Sequence, residues 1–239
     1  MVDRCRLCSV LAPLVPKSHV IPQWMFYGLP QDERRFRIAS SYPGEFEQRS
    51  QTGLYGTFVC QSCENRFAAL DDYAAQVLRR NPRSCNRGLA FGSYDFGRLA
   101  RFYLSVLWRM NACTHRFFDS VTLDGDEERV AKALLIDGDA SLSNFDIVPT
   151  WSEHALSLGL LTPKRVTVDS IPHWQVYLPR FQGLIKTSDY PGSACLQDWK
   201  MAPGVGLCML EKSFNEFGEV ALAERVFKMN MEKKNAKRG

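Results

Sequence analysis

FVCQSCENRFAALDDYAAQVLRR, residues 58–80, changes its hydrophobic period part-way along, and that change decides the fold. After Cys63, the residues Phe67, Leu70, Ala74, Val77 and Leu78 recur at helical spacing until Asn81-Pro82 ends the run. A helix therefore leaves the Cys60-x2-Cys63 pair. A second pair with the same spacing, Cys5 and Cys8 in CRLC, stands near the start of the chain. Between the pairs, LAPLVPKSHVIP is extended, because Pro13, Pro16 and Pro22 exclude helix and the apolar residues fall in short runs. An x2 spacer lets a tight turn point two sulfurs and several backbone N–H groups inward. Two such pairs suit one tetrahedral Zn²⁺ held by Cys5, Cys8, Cys60 and Cys63. Four thiolates saturate the ion, so its predicted role is structural.

Knuckle, extended hairpin, second knuckle and helix together predict a treble-clef zinc module over residues 1–90, in which the metal clamps helix to hairpin. Residues 28–57 are polar and rich in Gly, Ser, Arg and Glu, an irregular hairpin-like insertion. Residues 91–239 read as a second, α+β region. GRLARFYLSVLWRMNA sets Leu99, Phe102, Tyr103, Val106, Leu107 and Met110 on one helical face, and a further helix is predicted over 126–136. DIVPTW, KRVTVDSI, HWQVYLPRF and GLIKTS are short β-branched and aromatic runs broken by Pro, Gly or Asp, as antiparallel strands are. A last helix is expected over about 216–233, running into the basic tail MEKKNAKRG.

With 239 residues and 45% apolar side chains, the chain can fill a core and is not a disordered tail. No apolar run approaches a membrane span, and MVDRCRLC has no signal-peptide pattern, so a cytoplasmic protein without membrane partner is expected. Cys85, Cys113, Cys195 and Cys208 show no pairing pattern and are expected as small buried hydrophobes, without disulfides. The net charge of +4 is too weak to identify a polyanionic partner. Local clustering says more. Arg79, Arg80, Arg83 and Arg87 share a stretch without carboxylates, as phosphate-binding surfaces do, although a solvated face has the same composition.

The string from Cys5 to Asn65, with KSHVIP and CQSCEN, resembles the zinc-stapled branch of the HNH endonuclease superfamily. It also resembles bacterial proteins with a Ser-His-Ile-Ile-Pro motif followed by Cys-x2-Cys-Glu. The resemblance spans the first quarter to third of the chain. It implies a ββα-metal site that hydrolyses a phosphodiester of nucleic acid, DNA foremost. His19 takes the position of the base that deprotonates water, and Glu64 that of a ligand for catalytic Mg²⁺ or Mn²⁺. The resemblance further implies a setting of bacterial or phage antiviral defence and a protein partner encoded nearby. Ser18 stands where the family places Asp or His before the base. Tyr55, Gly56 and Thr57 stand where it places Asn. The competing expectation is a non-catalytic zinc-stapled module that binds nucleic acid or protein, with His19 only supporting the hairpin. Asp71 and Asp72 are expected on a solvated face of the helix, the alternative being that they supply the missing metal-binding carboxylate, and Arg109, His115 and Arg116 at an ordinary helix C-terminus or a phosphate-binding edge.

Overall fold

In a computed structural model, residues 2–27, 36–39, 47–50, 53–86, 88–138, 142, 145–151, 160–188 and 190–211 are described. The CRLC turn joins two short antiparallel strands, Val2–Arg4 (β1) and Leu11–Pro13 (β2). Ser9, at φ 62, takes the left-handed conformation that lets the chain reverse behind Cys8. Ser18–His19 (β3) follows. Phe36–Ala39 (β4) and Glu47–Ser50 (β5) form an antiparallel hairpin within the polar insertion, of which residues 28–35, 40–46 and 51–52 lie outside the described residues. Tyr55–Gly56 (β6) then returns to pair antiparallel with β3.

Helix α1 spans Gln61–Leu78 with Cys60 at its N-cap and Cys63 in its first turn, as the periodicity predicts. Arg83–Cys85 (β7) and Gly88–Gly92 (β8) form a hairpin. Helix α2 spans Phe96–Ala112, capped by the Asp95 carboxylate, which accepts from Arg98 N–H. Helix α3 spans Gly125–Ile136 and opens on a capping box between Asp124 and Glu127. The remaining strands are Ile147–Trp151 (β9), Leu160–Leu161 (β10), Lys164–Val168 (β11), Ile171–Leu178 (β12), Phe181–Lys186 (β13) and Leu207–Glu211 (β14). The expected final helix over 216–233, with its basic tail, lies outside the described residues.

Seven strands make one mixed sheet in the order β11-β12-β13-β9-β14-β8-β7, antiparallel except where β14 meets β9. The four strand-like runs of the C-terminal half become β9, β11, β12 and β13. Strands β7, β8 and β14 extend the sheet beyond that expectation, and β10 adds in parallel to β4. Three helices are described. Of them α2 is central: twelve of its residues are buried, including Trp108 and Arg109, so it is enclosed by more than the one face its periodicity shows. Tyr103 of α2 lies against Gly183 of β13, where an added Cβ would stand 3.0 Å from its ring. Phe67 of α1 lies against Trp108, with ring centroids 5.9 Å apart. One buried apolar cluster thus runs from Cys5 through α1 and α2 to Met209.

Two expectations are corrected by burial. Asp71 is not on a solvated face, because Arg109, 1% exposed, holds its carboxylate from the core. Arg109 does stand in the last turn of α2, and that same contact keeps its guanidinium from serving a phosphate-binding edge. Among the four cysteines expected as buried hydrophobes, only Cys113 is buried. Cys85 and Cys195 are exposed, and the Cys85 and Cys208 sulfurs lie 3.3 Å apart as free thiols.

Candidate metal centre and its polar neighbours

Backbone hydrogen bonds bring the two cysteine pairs together before any metal is considered. Arg6 N–H donates to Phe58 O and Val15 N–H to Val59 O, each at 2.9 Å, so the first knuckle is stitched to the residues just ahead of Cys60. Cys5 Sγ then lies 3.7 Å from Cys63 Sγ, and Cys8 Sγ lies 3.8 Å from Cys60 Sγ. All four sulfurs fall within 4.8 Å of one another. Backbone N–H groups point inward, as knuckle turns require: Cys60 N–H donates to Cys5 Sγ at 3.4 Å. Burial works to raise the Cys5 thiol, but backbone donors around it outweigh burial and bring it down to about 7. Burial and the neighbouring thiols push Cys63 the other way, well above its usual range. Four crowded thiols that cannot all ionise together fit a site completed by a cation, and a soft sulfur set of this geometry can hold a metal ion such as zinc.

Beside this cluster the strand β3 meets the first turn of α1. Ser18, fully buried, donates from Oγ to Glu64 Oε2 at 2.5 Å. His19, the next residue, is part-buried, and its ring packs edge-on against Tyr55 with centroids 5.1 Å apart. Burial lowers the pKa of His19 below the ordinary imidazole value; Glu64 opposes that shift and Arg109 adds to it. The imidazole is therefore neutral at pH 7, as a proton acceptor must be.

Arg109 ties the two sides together, and nothing in the knuckle motifs announces it. Its Nη1 donates to Asp71 Oδ2 at 3.0 Å and to the His19 carbonyl at 3.2 Å. Its Nη2 donates to Asp71 Oδ1 at 2.8 Å and to Ser105 Oγ at 3.1 Å, and its Nε to Ser105 O at 3.3 Å. All five guanidinium N–H groups are satisfied, which is the condition under which a buried arginine is tolerated. Burial pushes the Asp71 carboxyl up, and the guanidinium against it opposes the rise. The signal was present in the periodicity: Asp71 lies four residues after Phe67 and three before Ala74, within the apolar stripe of α1. Arg109 lies three after Val106 on α2.

The arginine stretch sits elsewhere. Arg79 and Arg80 are exposed at the C-terminal end of α1, about 22 Å along the helix from Glu64 at 1.5 Å per residue. Arg80 donates to Gln76 O, Phe91 O and Ser93 O, so it closes the helix end onto β8. Arg83 is exposed on β7, and Arg87 lies outside the described residues. Of the remaining histidines, His173 is 2% exposed with Nδ1 on Ile171 O at 2.9 Å, and His115 caps the short turn Arg116–Phe118 by accepting from Phe117 N–H. Among the described residues no helix is long and apolar enough to cross a membrane. Comparison of the chain with family models, with curated proteins and with solved structures returned no match.

Proposed function

We propose that residues 1–90 form a treble-clef module stapled by one structural Zn²⁺ on Cys5, Cys8, Cys60 and Cys63, and that His19 and Glu64 beside it make an HNH-like nuclease site for nucleic-acid phosphodiesters. The observation that supports this most is the meeting of β3 with the first turn of α1, where Ser18 and Glu64 touch at 2.5 Å and the Glu64 carboxylate acts electrostatically on the His19 imidazole. Glu64 offers the hard carboxylate oxygen that would hold Mg²⁺ or Mn²⁺. Such an ion, when bound, supplies charge neutralisation at the scissile phosphate. His19 takes a proton from water. Its low pKa keeps it free to do so at neutral pH. Tyr55 limits the swing of the ring, and Arg109 holds the carbonyl of the same residue, so the base is positioned from both strand and helix. Arg109 is a positioning residue here, since it reaches only the backbone. Asp71 is occupied by Arg109 and supplies no second carboxylate. DNA is the foremost substrate, and a role in bacterial or phage defence follows the resemblance.

A second reading is favoured by that same Ser18–Glu64 hydrogen bond: Glu64 serves as the acceptor that locks β3 to α1, and the module binds nucleic acid or protein without cleaving it. Labelled single- and double-stranded DNA and RNA, incubated with the protein and Mg²⁺ or Mn²⁺, separate the two. The nuclease reading expects metal-dependent cleavage that His19→Ala lowers by about 10²- to 10⁴-fold, with fold and zinc content retained. Absence of cleavage by the wild type on every substrate, or equal cleavage by His19→Ala, leaves the binding module.

A further inference from the structure

A cleft of about 500 Å³ opens at the far end of α1 from His19, within the range of volumes that hold small ligands. Its walls come from five parts of the chain that are distant in sequence, among them Trp24, Arg79, Leu89, Trp151, Arg180 and Phe181. Trp151 is held rigid between Phe91, at 5.7 Å, and Phe181, at 5.0 Å between ring centroids. Such a fixed indole beside a leucine and a second tryptophan offers a flat apolar surface for an aromatic ring.

The charge at the cleft is positive, with Arg79, Arg80 and Arg180 against Glu211. Arg80 is spent on backbone carbonyls, those of Phe91 and Ser93 and that of Gln76 at the helix end. The Arg79 backbone N–H closes α1 on Ala75 O, while its side chain makes no hydrogen bond or ion pair among the described residues and is exposed at the rim. Arg180 is the more telling residue. It is the second position of the two-residue turn between β12 and β13, where Leu178 pairs with Phe181, and its φ is +66. Glycine or asparagine takes that left-handed conformation readily, and a long cationic side chain there carries backbone strain of the kind that gathers at binding sites.

We propose that this cleft binds one nucleotide unit, its base against the Trp151 surface and its phosphate at Arg79 and Arg180. Aromatic walls alone would suit any apolar ring, and arginines alone any anion; their combination selects a ring that carries a phosphate. The unit is either a free mononucleotide or one residue of a single strand. The site does not rest on cleavage at His19.

Binding is measured on the full chain by tryptophan fluorescence and equilibrium dialysis, with nucleoside 5′-monophosphates in one arm and a ten-residue single-stranded oligonucleotide in the other. Arg180→Gly removes the guanidinium while relieving the left-handed backbone, so it keeps the fold, and Trp151→Leu removes the stacking surface. Each is expected to weaken binding about tenfold or more. Mononucleotide binding sensitive to both variants assigns a free nucleotide, and oligonucleotide-only binding sensitive to both assigns a residue of a strand. No binding in either arm, or binding that Arg180→Gly leaves unchanged while circular dichroism shows a native fold, overturns the site. His19→Ala is expected to bind as the wild type does, so failure of cleavage and failure of this site are read separately.

Discussion

Arg109 and Asp71 show what single residues contribute here. A guanidinium that is 1% exposed has lost nearly all its water, and five protein acceptors replace it. Removing one partner leaves the other buried and uncompensated, so Asp71→Asn and Arg109→Met are each expected to cost about 3–5 kcal/mol in urea denaturation. The double variant Asp71→Leu/Arg109→Met should cost clearly less than the sum of the two, because no charge is then stranded. Additive losses would show that the pair is not coupled. The cysteine knuckles were legible because their spacing is set by local turn geometry, whereas this ion pair joins residues 38 positions apart. Its trace in the sequence is a carboxylate on the apolar stripe of one helix and a guanidinium beside that of another.

At the scale of elements, α1 is held at one end by the cysteine cluster and at the other by Arg80 reaching onto β8. With the proposed zinc staple, Cys60→Ser/Cys63→Ser is expected to lose about one zinc per chain and, with it, the docking of α1 on β3, seen as a lower melting temperature and faster proteolysis near the knuckles. Retained zinc with unchanged stability would remove the clamp from the account. Helices α1, α2 and α3 follow from periodicity, and β9, β11, β12 and β13 from alternating β-branched runs. Strands β7, β8 and β14 do not, because RSC, GLAFG and LCMLE are short, and the β7–β8 hairpin meets the rest of the sheet only where β8 pairs with β14, more than a hundred positions away. Gly88 records how close that pairing is: at φ +120, an added Cβ would stand 2.3 Å from Met209 O. Gly88→Ala is expected to destabilise by about 3 kcal/mol through strain and displacement of β14, and an unchanged denaturation midpoint would mean that β14 is not seated there.

For the molecule as a whole, the decisive property is that one buried cluster joins the cysteine module to the sheet through α2, so a proton taken up anywhere in it is felt as global stability. His173 is buried on β12 of the large sheet, and burial lowers its pKa below the ordinary 6.5, with Lys186 adding to the effect and the Ile171 carbonyl opposing it. Between its lowered folded value and 6.5, the unfolded chain binds more protons than the folded one. Stability therefore rises with pH across that window; the His173 contribution is complete above 6.5 and is lost as pH falls below it. Urea midpoints measured from pH 8 to pH 5 at constant salt should decline through the lower half of that range. The steepest slope one such histidine can impose is about 1.4 kcal/mol per pH unit. Acid also protonates the cysteine cluster, so the decline alone does not assign the proton. His173→Gln keeps a donor for Ile171 O and removes the titration, and its stability should fall less steeply below pH 6.5 than that of the wild type. Parallel curves for the two proteins would take His173 out of the acid sensitivity and leave it to the other histidines that burial lowers, His19 and His115, and to the cysteine cluster.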